Sequence, residues 1–347
     1  KRLLAAGMKS IYSIGPVLNY TLWDTLSSLK SFQALSKFKE SKQQDRVSTQ
    51  IQLIFSVRAA YIRAQLALEE LHLATSSLEL AHAQKKDIQN RFKAGAASQL
   101  DQLTSNREVL HYQLQVQQKQ AELSSAFKDL LALVGRKDLQ VFKLDSIQDT
   151  LANLSLLAIS APTESQSQIK SLRLLAESSE KSASAQTAKL FPTLQLSAST
   201  TLAYPNGPVM SQINQNMVGL VLSIPLYIGD PTWHLAASKR REAQANKHRA
   251  DQLQTNINRD FSKATEILAS LYDQKKLAAL DVLESQEAAK LYYGSYKAGK
   301  NNLIDVQTAN YQAFQAKVGA VRIDAQILNQ LILLNALSGE QNTHESP

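Results

Sequence analysis

RFKAGAASQLDQLTSN (residues 91–106) and SYKAGKNNLIDVQTAN (residues 295–310) decide the fold. The two stretches align without a gap at an offset of 204 positions. Six of their sixteen pairs are identical: Lys93/Lys297, Ala94/Ala298, Gly95/Gly299, Asp101/Asp305, Thr104/Thr308 and Asn106/Asn310. Phe92/Tyr296 and Leu100/Ile304 are conservative. Each Lys-Ala-Gly ends a long run free of helix breakers, and glycine just past a helix is the usual stop. Each stretch therefore reads as a tight reversal between two helices.

The register holds far from the turns. Gly15, Val17, Leu18 and Leu22 match Gly219, Val221, Leu222 and Leu226. Ala132, Leu133 and Gly135 match Ala336, Leu337 and Gly339. The chain is an internal duplication. Long helices enforce such a register, because an insertion would rotate everything beyond it out of its packing seam. The predicted organisation is a first repeat over 1–135, an inter-repeat segment over 136–162, a second repeat over 163–339 and a tail over 340–347. Residues from Thr163 to about Gln212 have no full counterpart at the start of the sequence. The reading therefore expects more chain upstream of Lys1, a signal peptide included.

Within the second repeat, Thr163–Leu190 is polar, rich in Ala and Ser, and reads as a helix ended by Pro192. FPTLQLSASTTLAY (191–204) then alternates. Leu194, Leu196, Ala198, Thr200 and Leu202 fall on one side, with Gln195, Ser197, Ser199 and Thr201 on the other, the period of a strand with one apolar face. Pro205-Asn206-Gly207-Pro208 is a turn, and Asn216–Tyr227 returns as a second strand. Its first-repeat counterpart is Ser10–Trp23. Thr232–Tyr296 follows as a very long helix; some 65 residues would span roughly 100 Å. Its seam is expected at Leu253, Ile257, Ala264, Leu268, Leu271, Ala278, Val282 and Ala289, and in the first repeat at Val47, Ile51, Ile54, Tyr61, Leu68 and Thr75. Shorter helices, Ser98–Val134 and Asn302–Ser338, run back from the turns. Leu100, Leu103, Leu110, Leu114 and Ala121 are expected to hold the first returning seam, and Ile304, Tyr311, Val318, Ala325 and Leu328 the second. Gly135–Ala161 reads as irregular, with a short strand over Leu139–Leu144.

Composition agrees. The 347 residues include 11 Gly and 8 Pro, few turns for the length, so the elements must be long. No stretch reaches the ~20 apolar residues of a membrane-spanning helix, yet a β-barrel needs none. The absence of cysteine excludes a disulfide framework and a thiolate metal site. The net charge of +8 is scattered. Its densest run, Lys239-Arg240-Arg241, reads as a solvated helix face without aromatics for base stacking, so no nucleic acid is expected. The six histidines show no metal-ligand spacing, and no catalytic or phosphate-binding motif occurs, so neither enzyme nor cofactor is expected. The predicted fold class is mainly α with a small β part. A lone hairpin is marginal and a sheet edge cannot face lipid, so the strands of several protomers must close into one shared transmembrane β-barrel over one α-helical barrel.

Three pieces carry a family resemblance: IPLYIGD (224–230) leading into a long helix, YKAGKNNLIDVQTA (296–309) and FPTLQLSAS (191–199), with RFKAGAASQLD (91–101) as the first-repeat tip. This ordered, duplicated set resembles the TolC-like outer-membrane efflux proteins over essentially the whole chain. The resemblance implies a homotrimer in the outer membrane, reaching into the periplasm. It implies passive export, with a periplasmic adaptor protein and an inner-membrane pump of RND or ABC type as partners and outer-membrane lipid around the barrel. It places Asp305 at a pore-lining aspartate, where three copies would form a carboxylate ring. Thr308 stands where a second aspartate is frequent, which leaves any second ring uncharged. Tyr296 and Asp101 match positions whose hydrogen bonds hold the tips together. Asn301 stands at a frequent arginine, so the resemblance carries no charged latch there. The turns around Gly95, Ala96, Gly299 and Lys300 would meet the adaptor. Read without the family, Asp101 and Asp305 are early-helix acids favoured by the helix dipole, and Tyr296 is a seam aromatic. Trp23, Tyr227 and Trp233 form either an interfacial belt or ordinary packing. The competing functional classes are a membrane-associated coiled-coil scaffold, against which the amphipathic strands count, and the periplasmic adaptor itself, whose helical hairpin occurs once.

Overall fold

The computed structural model describes residues 12–136, 144–155, 161–162, 166–205, 211–226 and 231–339. In chain order the elements are β1 (Tyr12–Ile14), β2 (Val17–Trp23), α1 (Ser27–Lys93), α2 (Gln99–Val134), α3 (Ile147–Ser155), α4 (Ser167–Ala188), β3 (Thr193–Tyr204), β4 (Ile213–Ser223), α5 (Pro231–Lys297) and α6 (Leu303–Ser338). The duplication is exact at the level of helices. α1 and α5 each hold 67 residues and α2 and α6 each hold 36, with every boundary displaced by the sequence offset.

The chain divides into two compact units, and each draws on both repeats. In the first (Lys1–Asp45 and Ser167–Leu253) β3 is the centre of an antiparallel sheet, with β1 and β2 on one side and β4 on the other. The expected strands form, and their alternation sets the faces. Leu194, Leu196 and Ala198 pair with Leu222, Leu220 and Val218, while β2 brings Tyr20 opposite Leu196 and Leu18 opposite Ala198. This apolar face is uncovered: Leu18, Tyr20, Val218, Leu220 and Leu222 are 60 to 75% exposed. The other face carries Gln195, Ser197 and Ser199 beside Asn19 and Thr21. β1 and β2 are one strand interrupted at Gly15-Pro16. There the backbone runs so close to β3 that a Cβ on Gly15 would stand 1.8 Å from the Thr200 carbonyl oxygen.

Below the sheet in this unit, α4 lies between the first turns of α1 and α5. Ser178 donates to the Ala34 carbonyl at 2.8 Å, and Lys247 meets Glu180 at 2.6 Å. The contacts use small side chains, Ala34, Ala176 and Ala183 with Ala236, Ala243 and Ala250, none more than 4% exposed. Alanine every seventh residue lets helices approach closely.

The second unit (Arg46–Gln166 and Gln254–Pro347) is helical. α1 with α2 and α5 with α6 make two hairpins. α6 lies in the groove of the first, where Phe314 meets the edge of Tyr112 with ring centroids 5.9 Å apart, beside Ala74, Ala81 and Val318. Ile62 and Leu271 join Ile327, Leu328, Leu331 and Ile332 of α6 in the largest cluster, which α3 covers with Ile147 and Leu151.

The structure corrects the seams in the first repeat. α1 buries Ser41, Ser48, Ile62, Ala74, Ala81 and Ile88, while Ile54 is half exposed and Thr75 is exposed. α2 buries Ser105, Val109, Tyr112, Ala126, Leu130 and Leu131, whereas Leu100, Leu103, Leu110 and Leu114 are 59 to 66% exposed and Ala121 is exposed. The physical reason is that the inward positions are small or polar, so counting leucines selects the opposite side. In α6, Val318, Ala325 and Leu328 are buried as expected, but Ile304 and Tyr311 are exposed. The inter-repeat segment is not irregular throughout, since α3 occupies part of it. Its start was legible: Ser146 caps the Asp149 amide and donates its hydroxyl to the Asp149 carboxylate. Of the strand expected over Leu139–Leu144, residues 139–143 lie outside the described residues, as do Tyr227 and much of the turn after Pro205.

Candidate functional site

The two hairpin tips lie together in the helical unit and share one local design. Gly95 and Gly299 both have φ of +73°, a left-handed backbone that glycine takes without strain. The amides just beyond close each helix: Ala96 N–H donates to the Arg91 carbonyl at 2.7 Å and Lys300 N–H to the Ser295 carbonyl at 2.9 Å. The returning helices are then capped. The Ser98 hydroxyl accepts from the Asp101 amide at 3.1 Å, and the Asn302 side chain accepts from the Asp305 amide at 2.9 Å.

The two tip aspartates differ. Asp101 turns its carboxylate back to its own cap, accepting from the Ser98 amide at 2.9 Å and the Ser98 hydroxyl at 2.8 Å. It completes a capping box, which offsets its charge at a helix N-terminus. Asp305 has a neutral asparagine as its cap. Its carboxylate is partly exposed and makes no hydrogen bond or ion pair among the described residues. One turn on, Thr308 is exposed and folds its hydroxyl onto the Ile304 carbonyl at 2.9 Å. Asn301 is half-buried, while Gly95, Ala96, Gly299 and Lys300 are all exposed.

Between the hairpins, Tyr296 packs with Ile88, Leu303 and Val306. Its hydroxyl is buried without a hydrogen-bond partner among the described residues. Burial, with Asp101 nearby, holds that phenol above its ordinary pKa. The tyrosine that bridges the hairpins is Tyr293, one helical turn earlier, whose hydroxyl donates to Asp87 at 2.8 Å. Arg91 completes the contact. It donates to the Lys297 carbonyl at 2.8 Å, lies 3.8 Å from Asp87, and stacks its guanidinium 5.7 Å from the Tyr296 ring centre. Further from the tips, Gln307 donates to the Thr104 carbonyl at 3.1 Å and Asn310 to Gln84 at 3.0 Å. Sequence reasoning missed Arg91, Tyr293 and Asp87. The signal was present: all three lie within eight residues of a tip glycine, on the residues leading into it.

A second charged contact ties the hairpins. Glu70 is 4% exposed and accepts from Arg322 on α6 and Lys119 on α2, both at 2.6 Å. Burial alone would raise the Glu70 pKa, but these two cations outweigh it and hold the carboxyl below its usual range. Among the described residues no group of His, Asp and Glu is arranged to hold a metal, and no helix is long and apolar enough to cross a membrane.

The fold recurs in solved outer-membrane proteins. The fold matches CusC with a TM-score of 0.83 at 16% identity, covering 95% of this chain and 78% of that one. It matches VceC of Vibrio cholerae with a TM-score of 0.76 at 13% identity, covering 95% and 87%. For the CmeC outer membrane channel of Campylobacter jejuni the TM-score is 0.77 at 14% identity, covering 97% and 73%. No curated protein sequence matches. Identities this low show the fold. The sequence model of the outer membrane efflux protein family matches residues 159–340, more than half of the chain. The uncovered apolar sheet face and the paired helical hairpins fit the transport duct that this family forms. The chain belongs to the outer membrane efflux protein family.

Proposed function

We propose that this outer-membrane efflux channel works as a homotrimer, the exit duct of a tripartite efflux pump or a type I secretion system. It is closed at its periplasmic end by the hairpin tips. The apolar face of the β4–β3–β2 sheet meets outer-membrane lipid, and the polar face with Ser197 and Ser199 lines the lumen. The repeats, 1–135 and 163–339 joined through 136–162, alternate around the helical tube. The exposed turns at Gly95, Ala96, Gly299 and Lys300 meet a periplasmic adaptor, which couples the duct to an inner-membrane pump of RND or ABC type.

The observation that carries the gate is the unneutralised carboxylate of Asp305, one turn past a glycine reversal. Three such groups converging on an axis favour cations and bind a multivalent cation well. Thr308 adds no second charge. The test is single-channel conductance of the full-length protein in a planar bilayer, wild type against Asp305→Ala, with a trivalent cation added. Small cation-selective conductance with block weakened by the substitution supports duct and gate together. Channels with unchanged selectivity and block keep the duct and remove Asp305 as its gate. No channels from folded oligomer overturn the duct.

A further inference from the structure

Scattered along the sequence, the net charge of +8 gathers in one unit. The sheet-bearing unit holds sixteen Lys and Arg against eight Asp and Glu, whereas the helical unit holds twenty-two of each. Part of this excess lies just under the sheet. Lys30 is in the first turn of α1 and Lys189 follows α4 directly, while Lys181 and Arg240 stand within about 15 Å of the sheet ends of α4 and α5. Lys181, Lys189 and Arg240 are exposed, and Lys30 is half-buried. The nearby acids are already engaged. Glu177 lies 3.5 Å from Lys37 and Glu180 lies 2.6 Å from Lys247, each cation one heptad further from the sheet than Lys30 or Arg240. Glu242 lies 2.7 Å from Lys239, and Asp24 caps α1 by accepting from the Ser28 amide at 2.7 Å. Among the described residues Lys30, Lys181 and Lys189 make no ion pair, and Arg240 reaches the Thr187 hydroxyl at 3.3 Å.

These cations adjoin an apolar, aromatic edge. Trp23 pairs with Leu194 at the foot of the apolar sheet face. Trp233, Arg240 and Lys247 follow at heptad spacing on α5 and so form one stripe. Trp23 and Trp233 are 51% and 57% exposed, so neither is buried within the chain. Chirality sets both features on one side. The Thr200 amide donates to the Pro16 carbonyl, toward β2, which turns the Leu194 row to the same side as the α4 face bearing Glu177 and Lys181. Apolar surface, then tryptophan, then unpaired cation is the order of groups that suits a path out of a bilayer through its head groups.

We infer that this collar of Lys30, Lys181, Lys189 and Arg240 binds the phosphate groups of anionic phospholipid in the leaflet nearest the helices. It rests on the proposed contact of the apolar sheet face with lipid, and adds the head group that seats that face. Ammonium and guanidinium donors match phosphate oxygens. Each cation held at an anionic surface is worth about fivefold in binding. The collar thereby sets the depth of the sheet in the membrane, because sliding it either way would pull the cations from the phosphates or the apolar row from the hydrocarbon.

The two tryptophans of the sequence, Trp23 and Trp233, both lie at the collar, so intrinsic fluorescence reports on it. The test folds the full-length protein into vesicles of phosphatidylcholine and phosphatidylglycerol, with one lipid or the other carrying brominated chains. Quenching then gives the relative affinity of the two lipids. A preference for phosphatidylglycerol of at least about fivefold is expected at low salt, falling toward none in 1 M salt, where the screening length is about 3 Å. Lys30→Gln, Lys181→Gln, Lys189→Gln and Arg240→Gln together should remove the preference, and Arg in place of the three lysines should keep it. Lys86→Gln, Lys128→Gln, Lys263→Gln and Lys290→Gln remove the same charge from exposed positions of the helical unit and should also keep it. Circular dichroism checks that each variant is folded. Equal quenching by both lipids in the wild type, or equal loss of preference in the two quadruple glutamine variants, overturns the collar while leaving the lipid contact standing. A preference removed by inorganic phosphate at constant ionic strength overturns the lipid as its occupant. Folded protein quenched by neither lipid overturns the lipid contact of the sheet, and the collar with it.

Discussion

Arg322 on α6 donates its Nε to Glu70 on α1 at 2.6 Å, across 252 residues of sequence, while Glu70 itself is almost wholly buried. A buried carboxylate with two cations is sensitive to losing either side. Glu70→Ala is expected to destabilise the helical unit by about 1–2 kcal/mol: Lys119 keeps Glu122 at 2.8 Å and Arg322 is half exposed, so the loss is the bonds that join α1 to α2 and α6. Arg322→Ala should cost less, because Lys119 still neutralises Glu70 and the arginine is half exposed. Thermal unfolding followed by circular dichroism checks the order of the two.

Acid should act through the same group. The folded-state pKa of Glu70 is depressed, so its contribution is fully present above the unfolded value of about 4.3 and is lost as pH falls through the lower folded value. Stability of the wild type is therefore expected to drop below about pH 4.5, and Glu70→Gln should flatten that part of the profile. Denaturation midpoints measured from pH 6 to pH 3 decide it; parallel curves for the two proteins would show that Glu70 is not the group responsible.

The tip tyrosines make opposite predictions. Tyr293→Phe removes the bond to Asp87 and is expected to loosen the tips by about 1 kcal/mol, seen as roughly fivefold more frequent opening in bilayer recordings. Tyr296→Phe removes a hydroxyl that has no partner, so opening and stability should stay unchanged or improve slightly. An inversion of the two results would assign the latch to Tyr296.

Three glycines test the backbone. Gly95→Ala and Gly299→Ala meet open space, so each should cost only the left-handed strain of about 1 kcal/mol, reduced in the Asn variants. Gly15→Ala is far worse placed, since its Cβ would collide with the Thr200 carbonyl. It is expected to break the pairing of β1 and β2 with β3, seen as loss of β signal in circular dichroism of the protein folded into lipid.

On the sheet, Leu220→Arg puts charge on the apolar face and should destabilise the inserted barrel by about 2–4 kcal/mol, whereas Gln195→Arg on the other face is tolerated. Folding into lipid vesicles across a urea series separates them.

How much of this was legible depended on the type of signal. The tip reversals, the strands and the helix boundaries followed from glycine, proline and the repeat offset, which act locally. Residues 99–134 and 303–338 were read nearly to the residue because a cap and a glycine mark both ends. The seams of α1 and α2 were not. Ser41, Ser48 and Glu70 are buried because a neighbouring helix presents an alanine, a serine or a cation there, which no periodicity of apolar residues records. Leu110 and Leu114 misled for the converse reason, being apolar residues that the folded chain leaves exposed. At the candidate gate, the family resemblance pointed to Asp305 and Tyr296, whereas the bridge through Arg91, Tyr293 and Asp87 depends on the distance between hairpins, which only the folded chain fixes.

The equal lengths of α1 and α5, and of α2 and α6, make the chain a pair of matched rulers. Removing one heptad from α1 and α2 alone would leave Gly95 about 10 Å out of level with Gly299. The bond from Tyr293 to Asp87 would then have no partner to reach. A tube of this kind can be shortened or lengthened only by the same edit in all four helices at once. Relatives that serve a shallower or deeper compartment should therefore differ in steps of whole heptads, written four times.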